Sequence, residues 1–330
     1  MSEILKVAFA GLRHIHITAL YNRMKDDPRF EIVSVCESDA GAIQRAEEKW
    51  GISVTHNDFE SMLRDTEFDI LAVGDYFAIR GSRVIAGLKA GKHIICDKPL
   101  CTSPAELAEI RQLADSRNLK VGVMLDFRNH GNVAALKELI DSGRMGDIHA
   151  VSFGGQHPLM YGTRDNWYFE PGKHGGTIND IAIHGLDAVE YLTGKKISDL
   201  IAARTWNAFA DKVEYFKDAA QLMFKLDDGC GIMADVSYFA PDKCGFTTPL
   251  YWRFTVWGRK GVAEFNYNEP GVTFFANDAE KAEIIPAAEG KSDYLEIFMN
   301  ELDGKSEAFG QQHIFDVTET ALKFQQAAEK

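Results

Sequence analysis

The stretch AGKHIICDKPL, residues 90–100, joins a helix end to a short apolar strand and a lysine. Its glycine is a typical helix stop, and residues 93–96 have the length and composition of a buried strand. Lys98 comes just after this strand, and Pro99 restricts the lysine backbone to extended conformations. Because open α/β sheets bind ligands beyond the carboxyl ends of their strands, this position predicts that Lys98 faces a ligand.

The first 125 residues, around this stretch, alternate short apolar strands with helices. The predicted strands are residues 5–10, 30–36, 70–73, 93–96 and 121–125. The predicted helices are residues 16–24, 42–50, 81–90 and one that opens at the capping box Ser103-Pro104-Ala105-Glu106. Such alternation is typical of a parallel sheet covered by helices on both faces.

The pattern changes after residue 125, which indicates a second domain. The predicted elements that follow are a helix at 130–140, a strand at 148–153, a polar aromatic loop at 154–174, a helix ending at 192, strands over 200–275 and two amphipathic helices near 294–302 and 314–328. Asp228-Gly229 between two of these strands is a hairpin signal. The sequence therefore predicts a strand-rich domain behind the alternating one.

Composition and charge narrow the range of partners. Apolar residues make up 45% of the chain and charged residues 26%, which is ordinary for a globular protein. The net charge of −13 argues against nucleic acid or an anionic membrane as the main partner. No signal-peptide pattern or membrane-length apolar run is found, and the five cysteines read as buried reduced thiols. We therefore expect a cytoplasmic protein.

The loop after the first predicted strand is a modified dinucleotide-binding loop. Gly11 occupies the first glycine position, whereas Arg13 and His16 stand in the places of the second and third. The following helix N-terminus can bind a pyrophosphate, and a guanidinium can pair with phosphate directly. We predict cofactor contacts from Gly11, Arg13, His14 and Ile15. Taken alone, the loop is equally consistent with an ordinary strand-to-helix turn.

Glu37 supports the cofactor interpretation. It lies at the end of the second predicted strand, about 20 residues after the loop, as expected of the acidic residue that binds the adenosine ribose. A carboxylate accepts hydrogen bonds from both ribose hydroxyls and repels a 2′-phosphate, which favours NAD over NADP. The alternative is a solvated glutamate at a strand end.

The predicted helix after residue 175 carries the candidate proton-transfer groups. Asp180 and His184 are four residues apart and so lie on one helix face. Histidine has a reference pKa of about 6.5 and suits proton exchange, while Asp180 can orient the imidazole or bind a substrate hydroxyl. Lys98 can stabilise a developing alkoxide or carbonyl oxygen. Together these groups predict hydride transfer to or from a sugar-like alcohol, although each alone could be structural.

In this order and spacing, the segments resemble the Gfo/Idh/MocA family, named for glucose–fructose oxidoreductase, inositol dehydrogenase and rhizopine catabolism. The resemblance lies in residues 90–100, with Asp97 in place of the usual glutamate, and in residues 137–146 and 175–187. It covers essentially the whole chain. It implies a Rossmann domain over residues 1–125 and an α/β domain with a large, mostly antiparallel sheet over residues 126–330.

The resemblance also implies an activity. Lys98, Asp180 and His184 take the family's catalytic positions, with His184 as acid/base, and the peptide before Pro99 is cis in many relatives. Substrates are typically sugars, inositol or related polyols, oxidised or reduced by NAD(P). One sheet face commonly serves subunit contacts, which implies a homodimer or homotetramer, and the C-terminal helix is expected to pack back on the first domain.

Departures from the family pattern affect the expected ligand contacts. Phe77 and Arg80 replace the family's usual asparagine and histidine after the third strand. We expect cofactor contacts there from Gly74 and Phe77, and further along the chain from Asp97 and Lys98. Arg128 stands in the family's usual arginine-rich segment, and we expect it to bind a substrate oxygen.

The loop at residues 154–174 is expected to cover the substrate. His157, Tyr161 and Trp167 are predicted substrate contacts, although Trp167 and Tyr168 could equally be core anchors under a long loop. The two glycines at 175 and 176 are expected to let another molecule approach the backbone closely.

Two alternatives to a dehydrogenase stay open, and no metal site is predicted. The altered glycine loop also fits a cofactor- or sugar-sensing regulatory protein of the same fold. A tightly held nicotinamide could instead be recycled between two sugars. His14 and His16 form a His-x-His pair as in metal-dependent amidohydrolases, but the barrel that such chemistry uses is absent from the pattern.

Overall fold

The computed structural model describes residues 4–330. The strands are β1 (Leu5–Ala10), β2 (Phe30–Cys36), β3 (Ile70–Val73), β4 (His93–Cys96), β5 (Val121–Val123), β6 (Ile148–Pro158), β7 (Ile197–Trp206), β8 (Ala219–Leu226), β9 (Gly231–Ala240), β10 (Trp252–Gly258), β11 (Gly261–Asn266), β12 (Gly271–Ala276) and β13 (Glu283–Pro286). The helices are α1 (Ile17–Lys25), α2 (Ala40–Trp50), α3 (Phe59–Asp65), α4 (Phe77–Lys89), α5 (Pro104–Arg117), α6 (Gly131–Asp141), α7 (Ile183–Thr193), α8 (Tyr294–Leu302) and α9 (Gln311–Ala328). Within this described range, no helix is both long enough and apolar enough to cross a membrane.

A five-stranded parallel sheet, in the order β2-β1-β3-β4-β5, forms the centre of the first compact unit, unit 1. Unit 1 contains the described residues up to Met124 together with Glu170–Gly175 and Tyr294–Phe315. The side chains of β3 are buried throughout, as expected of a sheet covered on both faces. Because the strand order reverses beside β1, the sheet has a ligand-binding switch point at the carboxyl end of that strand.

Helix α8 contributes to the core of unit 1 although it lies late in the sequence. Leu295 and Phe298 belong to the same apolar cluster as Val7 and Phe9 of β1. Arg29 is held in an ion pair with Glu296 at 2.6 Å near the start of β2. The segment therefore completes the apolar layer on one face of the parallel sheet.

The second compact unit, unit 2, is built on an eight-stranded sheet in the order β13-β12-β11-β10-β6-β9-β8-β7. Neighbouring strands are antiparallel except β6 and β9, which run parallel. Gly185 of α7 lies against the Phe153 ring of β6, so this helix packs on one sheet face. On the other face, Met223 and Met233 pair across β8 and β9 and are 48% and 63% exposed.

The predicted fold class is confirmed, with three local corrections. Strand β6 continues through the glycines to Pro158, where a loop was expected, because β9 and β10 pair with this stretch on its two sides. Helix α3 was not predicted. The predicted capping box is not formed as expected, since the Ser103 side chain makes no cap hydrogen bond.

Candidate active site

Most of the predicted cofactor residues gather at the carboxyl edge of the unit 1 sheet. Gly11 follows β1, Glu37 follows β2, Gly74 follows β3, and Asp97 and Lys98 follow β4. Parallel strands end at the same edge, so residues far apart in sequence become neighbours. The structure therefore brings these predicted residues together.

Gly11 makes a turn that other residues would not tolerate. Its φ of +84° lies in the left-handed region, and an added Cβ would lie 2.7 Å from the backbone nitrogen of Asp75. Gly74 similarly accommodates the Ile17 side chain at the start of α1. The two glycines bring the first helix close to the ends of β1 and β3, as a dinucleotide fold requires.

The Glu37 carboxylate is bonded within the protein and is only 2% exposed. It accepts hydrogen bonds from the backbone N–H of Leu12 at 2.7 Å and from those of Ser38 and Asp39 at 2.8 Å. Arg13 Nε donates to the same carboxylate at 3.2 Å. The ribose contact predicted for Glu37 would require it to exchange some of these internal donors.

Arg13 is also engaged by the protein. Its guanidinium lies 3.4 Å from Asp75, donates to Ser38 Oγ at 2.9 Å and lies 5.1 Å from the centre of the Tyr76 ring. It therefore links the ends of β1, β2 and β3. A phosphate would have to compete with the carboxylates of Glu37 and Asp75 for this side chain.

A cavity of about 180 Å³ lies beside Glu37 and Arg13, and its lining shows which dinucleotide fits there. Its lining includes Gly11, the carboxylate-bearing Glu37, Asp58 and Asp75, and Arg83. The cavity occupies the switch point of the sheet, where folds of this kind take the adenosine end of a dinucleotide. An acidic lining disfavours a 2′-phosphate. The residues present therefore fit NAD better than NADP.

Lys98 stands on a backbone segment that Arg80 fixes. The Lys98–Pro99 peptide is cis, as the family resemblance implied. Fully buried, Arg80 donates from Nη1 to the Lys98 carbonyl and from Nε to the Asp75 carbonyl at 2.7 Å. Its Nη2 lies 2.8 Å from Asp97 Oδ2. Arg80 thus ties Asp97 and Lys98 to Asp75 at the end of β3.

His14 and His16 flank the same aspartate. His14 Nδ1 is hydrogen-bonded to Asp97 Oδ2, and His16 Nδ1 lies 3.7 Å from Asp97 Oδ1. Burial lowers the pKa of His14 to about 3 in spite of the nearby carboxylate. Burial tends to raise the pKa of Asp97, but Arg80 and His14 hold it well below its usual range. Phe77 packs its ring against His14 at 5.1 Å, whereas Ile15 is exposed.

In unit 2, Asp180 lies in a π-helical turn, Ile178–Ala182, that leads into α7. The sequence predicted a plain α-helix here, and such π turns occur frequently at functional sites. Tyr238 donates its hydroxyl proton to Asp180 Oδ2, and both side chains are buried. Burial, followed by the Asp180 charge, raises the pKa of Tyr238 well above its usual value. The phenol therefore stays a donor and fixes the Asp180 carboxylate.

The close approach that Gly176 permits is made by a side chain of the protein itself, that of Gln325. Its φ is +104°, and an added Cβ would lie 2.6 Å from Gln325 Nε2 of α9. Gln325 Oε1 also accepts the Ile178 backbone N–H at 2.9 Å. The close approach expected at this glycine thus serves to hold the start of the π-helical turn.

His184 lies on the first turn of α7 and is 7% exposed. The rings of Trp252 and Phe127 meet it edge to face at 5.9 and 6.4 Å. One turn later, Asp187 pairs with Arg128 Nε at 2.9 Å, and both are buried. Arg128, for which a substrate contact is expected, thus has a partner inside unit 2 and anchors α7.

The predicted substrate-loop residues separate into three environments. His157 lies on the end of β6, packed against the rings of Tyr251 and Trp252 at 5.1 and 6.0 Å. Trp167 stacks on its neighbour Tyr168 at 4.0 Å, and both are buried, so the core-anchor alternative describes them. Tyr161 is exposed.

Sequence reasoning missed the supporting roles of Arg80 and Tyr238. A helical period places Arg80 on the same face as the buried Phe77 and Val84, which is an unusual position for an unpaired charge. Strand alternation places Tyr238 on the same inward face as Val236. The periodicity thus indicates that both side chains are buried, but it does not reveal that Arg80 pairs with Asp97 or that Tyr238 bonds to Asp180.

Comparison with known proteins identifies the family. Residues 5–125 match a profile described as "Oxidoreductase family, NAD-binding Rossmann fold", and residues 133–264 match the "GFO/IDH/MocA C-terminal domain". The chain belongs to the Gfo/Idh/MocA family of oxidoreductases.

Individual relatives are distant. Levoglucosan dehydrogenase from Pseudarthrobacter phenanthrenivorans is 27% identical over 52% of this chain and 45% of its own length. Inositol 2-dehydrogenase from Salmonella typhimurium is 25% identical over 79% and 73%. An aldose-aldose oxidoreductase structure from Caulobacter crescentus superposes with a TM-score of 0.80 at 17% identity, covering 99% and 98%. The chain spans about half the length of several curated relatives that it matches.

Proposed function

We propose that this protein is an NAD-dependent oxidoreductase that transfers a hydride between nicotinamide and a ring carbon of a sugar, inositol or related polyol. The observation that carries the proposal is the presence of Lys98 after β4, of Asp180 in the π-helical turn and of His184 at the start of α7. Family membership and the names of the levoglucosan and inositol dehydrogenases support the same reaction and substrate class.

Each of the three residues has a chemical role in this proposal. His184 exchanges the proton of the reacting hydroxyl, and Lys98 stabilises the negative charge that develops on its oxygen. Asp180, oriented by the Tyr238 hydroxyl, holds the imidazole or a neighbouring substrate hydroxyl. When bound, the nicotinamide supplies or accepts the hydride.

The two parts of the chain have separate proposed tasks. Residues 1–125 bind NAD, and residues 126–330 bind the substrate and assemble subunits. The proposed cofactor contacts are Gly11, Arg13, His14, Ile15, Glu37, Gly74, Phe77, Asp97 and Lys98. The proposed substrate contacts are Arg128, His157, Tyr161, Trp167, Asp180 and His184.

We also propose a homodimer or homotetramer formed through the exposed face of the large sheet, and a cytoplasmic location. The exposed pair Met223 and Met233 supports the assembly, and both line a cavity of about 390 Å³ on that face. All five cysteines are free thiols, as expected in a reducing compartment.

A substrate panel tests the reaction. The purified protein is incubated with NAD⁺ and a series of sugars, glucosides and inositols, and NADH formation is followed by absorbance. Turnover of at least one ring alcohol is the expected result. If the protein binds NADH but no member of the panel is oxidised and no corresponding ketone is reduced, the dehydrogenase proposal is wrong.

A second candidate function is a non-catalytic sensor of cofactor or sugar. The internal bonds of Glu37 and Arg13 favour it, because both side chains that should read the dinucleotide are held by the protein. Tight sugar or NADH binding without turnover would support this candidate.

A further inference from the structure

Two histidines and an aspartate meet at the carboxyl edge of the unit 1 sheet. His14 and His16 follow β1, and Asp97 follows β4. One donor atom from each residue lies within 4.8 Å of the others. We propose that His14, His16 and Asp97 bind a divalent transition-metal ion of the Zn²⁺ type. The inference goes beyond the proposed dehydrogenase function and does not depend on it.

The three donors suit such an ion. Two imidazole nitrogens and one carboxylate are ligands that Zn²⁺ and its neighbours accept, and three protein ligands leave a position for water or another oxygen. His16 Nδ1 is 3.7 Å from Asp97 Oδ1. Two ligands on a tetrahedral zinc ion lie about 3.3 Å apart, so this pair needs little movement. At His14, the ion would replace the proton shared with Asp97 Oδ2.

The Asp97 carboxylate gives a second and independent observation. The residue is fully buried, and among residues 4–330 its Oδ1 accepts no hydrogen bond of normal length, the His16 Nδ1 atom lying 3.7 Å away. A buried polar atom left in this state costs about 1–3 kcal/mol. A cation between Oδ1 and His16 would satisfy that oxygen.

Arg80 completes the arrangement from the other side. Its Nη2 lies 2.8 Å from Asp97 Oδ2, in the way that carboxylate ligands are commonly oriented by a hydrogen-bond donor. The positive charge of Arg80 offsets the negative charge of Asp97. We therefore expect a weaker affinity for the metal ion than in a closed four-ligand zinc site. Of the three ligands only His16 is exposed, so an ion would enter from the side of His16.

The proposal revises the expectation that the chain has no metal site. That expectation was based on His14 and His16 alone, which supply only two ligands. The third ligand lies 83 positions after His14 and reaches it only because β1 and β4 end at the same sheet edge. The comparison with amidohydrolase barrels was therefore not the relevant test.

Cobalt titration tests the site. The full chain is stripped of metal with a chelator and titrated with Co²⁺, whose visible absorption reports nitrogen and oxygen ligation. We expect one equivalent to bind and to be displaced by Zn²⁺. His16→Ala should weaken Co²⁺ binding about 100-fold while the protein stays folded, because this side chain is 48% exposed. His149→Ala, at an exposed position of β6, is the matched control and should bind like the wild type.

Two outcomes would overturn the metal site. One is the absence of Co²⁺ binding to the wild-type chain at millimolar concentration. The other is equal Co²⁺ affinity of the wild type and His16→Ala. NADH titrations of the metal-free chain separate this inference from the proposed function, because His14 and Asp97 are also proposed cofactor contacts and a bound ion would compete with NADH. If the chain binds Co²⁺ but not NADH, the metal site is supported and the NAD proposal is contradicted. If it binds NADH but not Co²⁺, the NAD proposal is supported and the metal site is contradicted.

Discussion

The glycine loop of unit 1 and the π-helical segment of unit 2 hold their proposed functional carboxylates differently. In the loop, Glu37 is surrounded by three backbone N–H groups and Arg13. In the segment, the Asp180 carboxylate accepts a hydrogen bond from the Tyr238 hydroxyl. The loop departs from the family's glycine pattern, and its polar groups are hydrogen-bonded to one another. The segment matches the family's pattern, and its aspartate is bonded to a tyrosine of β9.

This difference indicates which substitutions should change the reaction rate and which should change stability or cofactor binding. A loop whose carboxylate is satisfied internally gains stability but must rearrange to bind a ribose. A segment whose carboxylate is oriented by a phenol is arranged for the proposed chemistry. We therefore expect changes at the proposed catalytic residues to affect kcat, and changes at the loop to affect stability and cofactor choice.

The largest effect is expected from Lys98→Met. Methionine fills similar space in this buried position but cannot stabilise a developing oxyanion, so kcat should fall by about 10³-fold while NADH binding is retained. Steady-state rates and NADH fluorescence give the two readouts. Lys89→Met, on the surface of α4, serves as control. Full activity in Lys98→Met would remove this lysine from the mechanism.

Gly11→Ala should be the most destabilising change at the loop. The added methyl group would collide with Asp75, and the backbone at position 11 has a left-handed conformation that alanine disfavours. We therefore expect a loss of about 3 kcal/mol in the free energy of unfolding. Gly51 also has a positive φ but has no atom near its would-be Cβ, so Gly51→Ala should cost about 1 kcal/mol. Urea unfolding compares the two variants. Equal losses would show that close packing at Gly11 is unimportant.

Tyr238→Phe should lower kcat about tenfold and lower the free energy of unfolding by about 1–3 kcal/mol, because the buried Asp180 carboxylate loses this donor. The variant removes the donor that orients Asp180 and leaves the ring packing intact. In an Asp180→Asn background the same change should add almost nothing, because the two residues act as a unit. Additive losses in the double variant would contradict the positioning role. Tyr21→Phe in unit 1 is a control that removes a phenol elsewhere.

The smallest effect concerns the thiols. Burial raises the pKa of Cys36 and Cys230 to about 11 and that of Cys96 to about 12, and it also raises that of Cys101. Raised pKa values keep these groups as unreactive thiols at neutral pH, whereas Cys244 is exposed. A thiol reagent should therefore label one cysteine in the native protein and five after denaturation. Rapid labelling of more than one native thiol would contradict the burial of the other four.

Much of the fold could be predicted because periodicity reports burial. The predicted bounds of β1, β2, β3 and β4 agree with the structure, since each is a short apolar run between polar segments. The extension of β6 through Gly154 and Gly155 could not be predicted, because its pairing with β9 and β10 overrides the weak strand preference of glycine.

The candidate site was predictable in its residues but not in their partners. Lys98, Asp180 and His184 could be named from their motifs. The pairing of Asp97 with Arg80 and His14, and of Asp180 with Tyr238, depends on contacts between distant segments. A sequence pattern places a residue on a face of its own element and does not reveal what lies opposite.

A fluorescence titration with NADH and NADPH tests the central claim, that residues 1–125 bind NAD. We predict tight NADH binding and at least about tenfold weaker NADPH binding, because Glu37 and its acidic neighbours repel a 2′-phosphate. Glu37→Gln should reduce that discrimination. Binding of neither nucleotide, with no nicotinamide released when the protein is denatured, would contradict the claim.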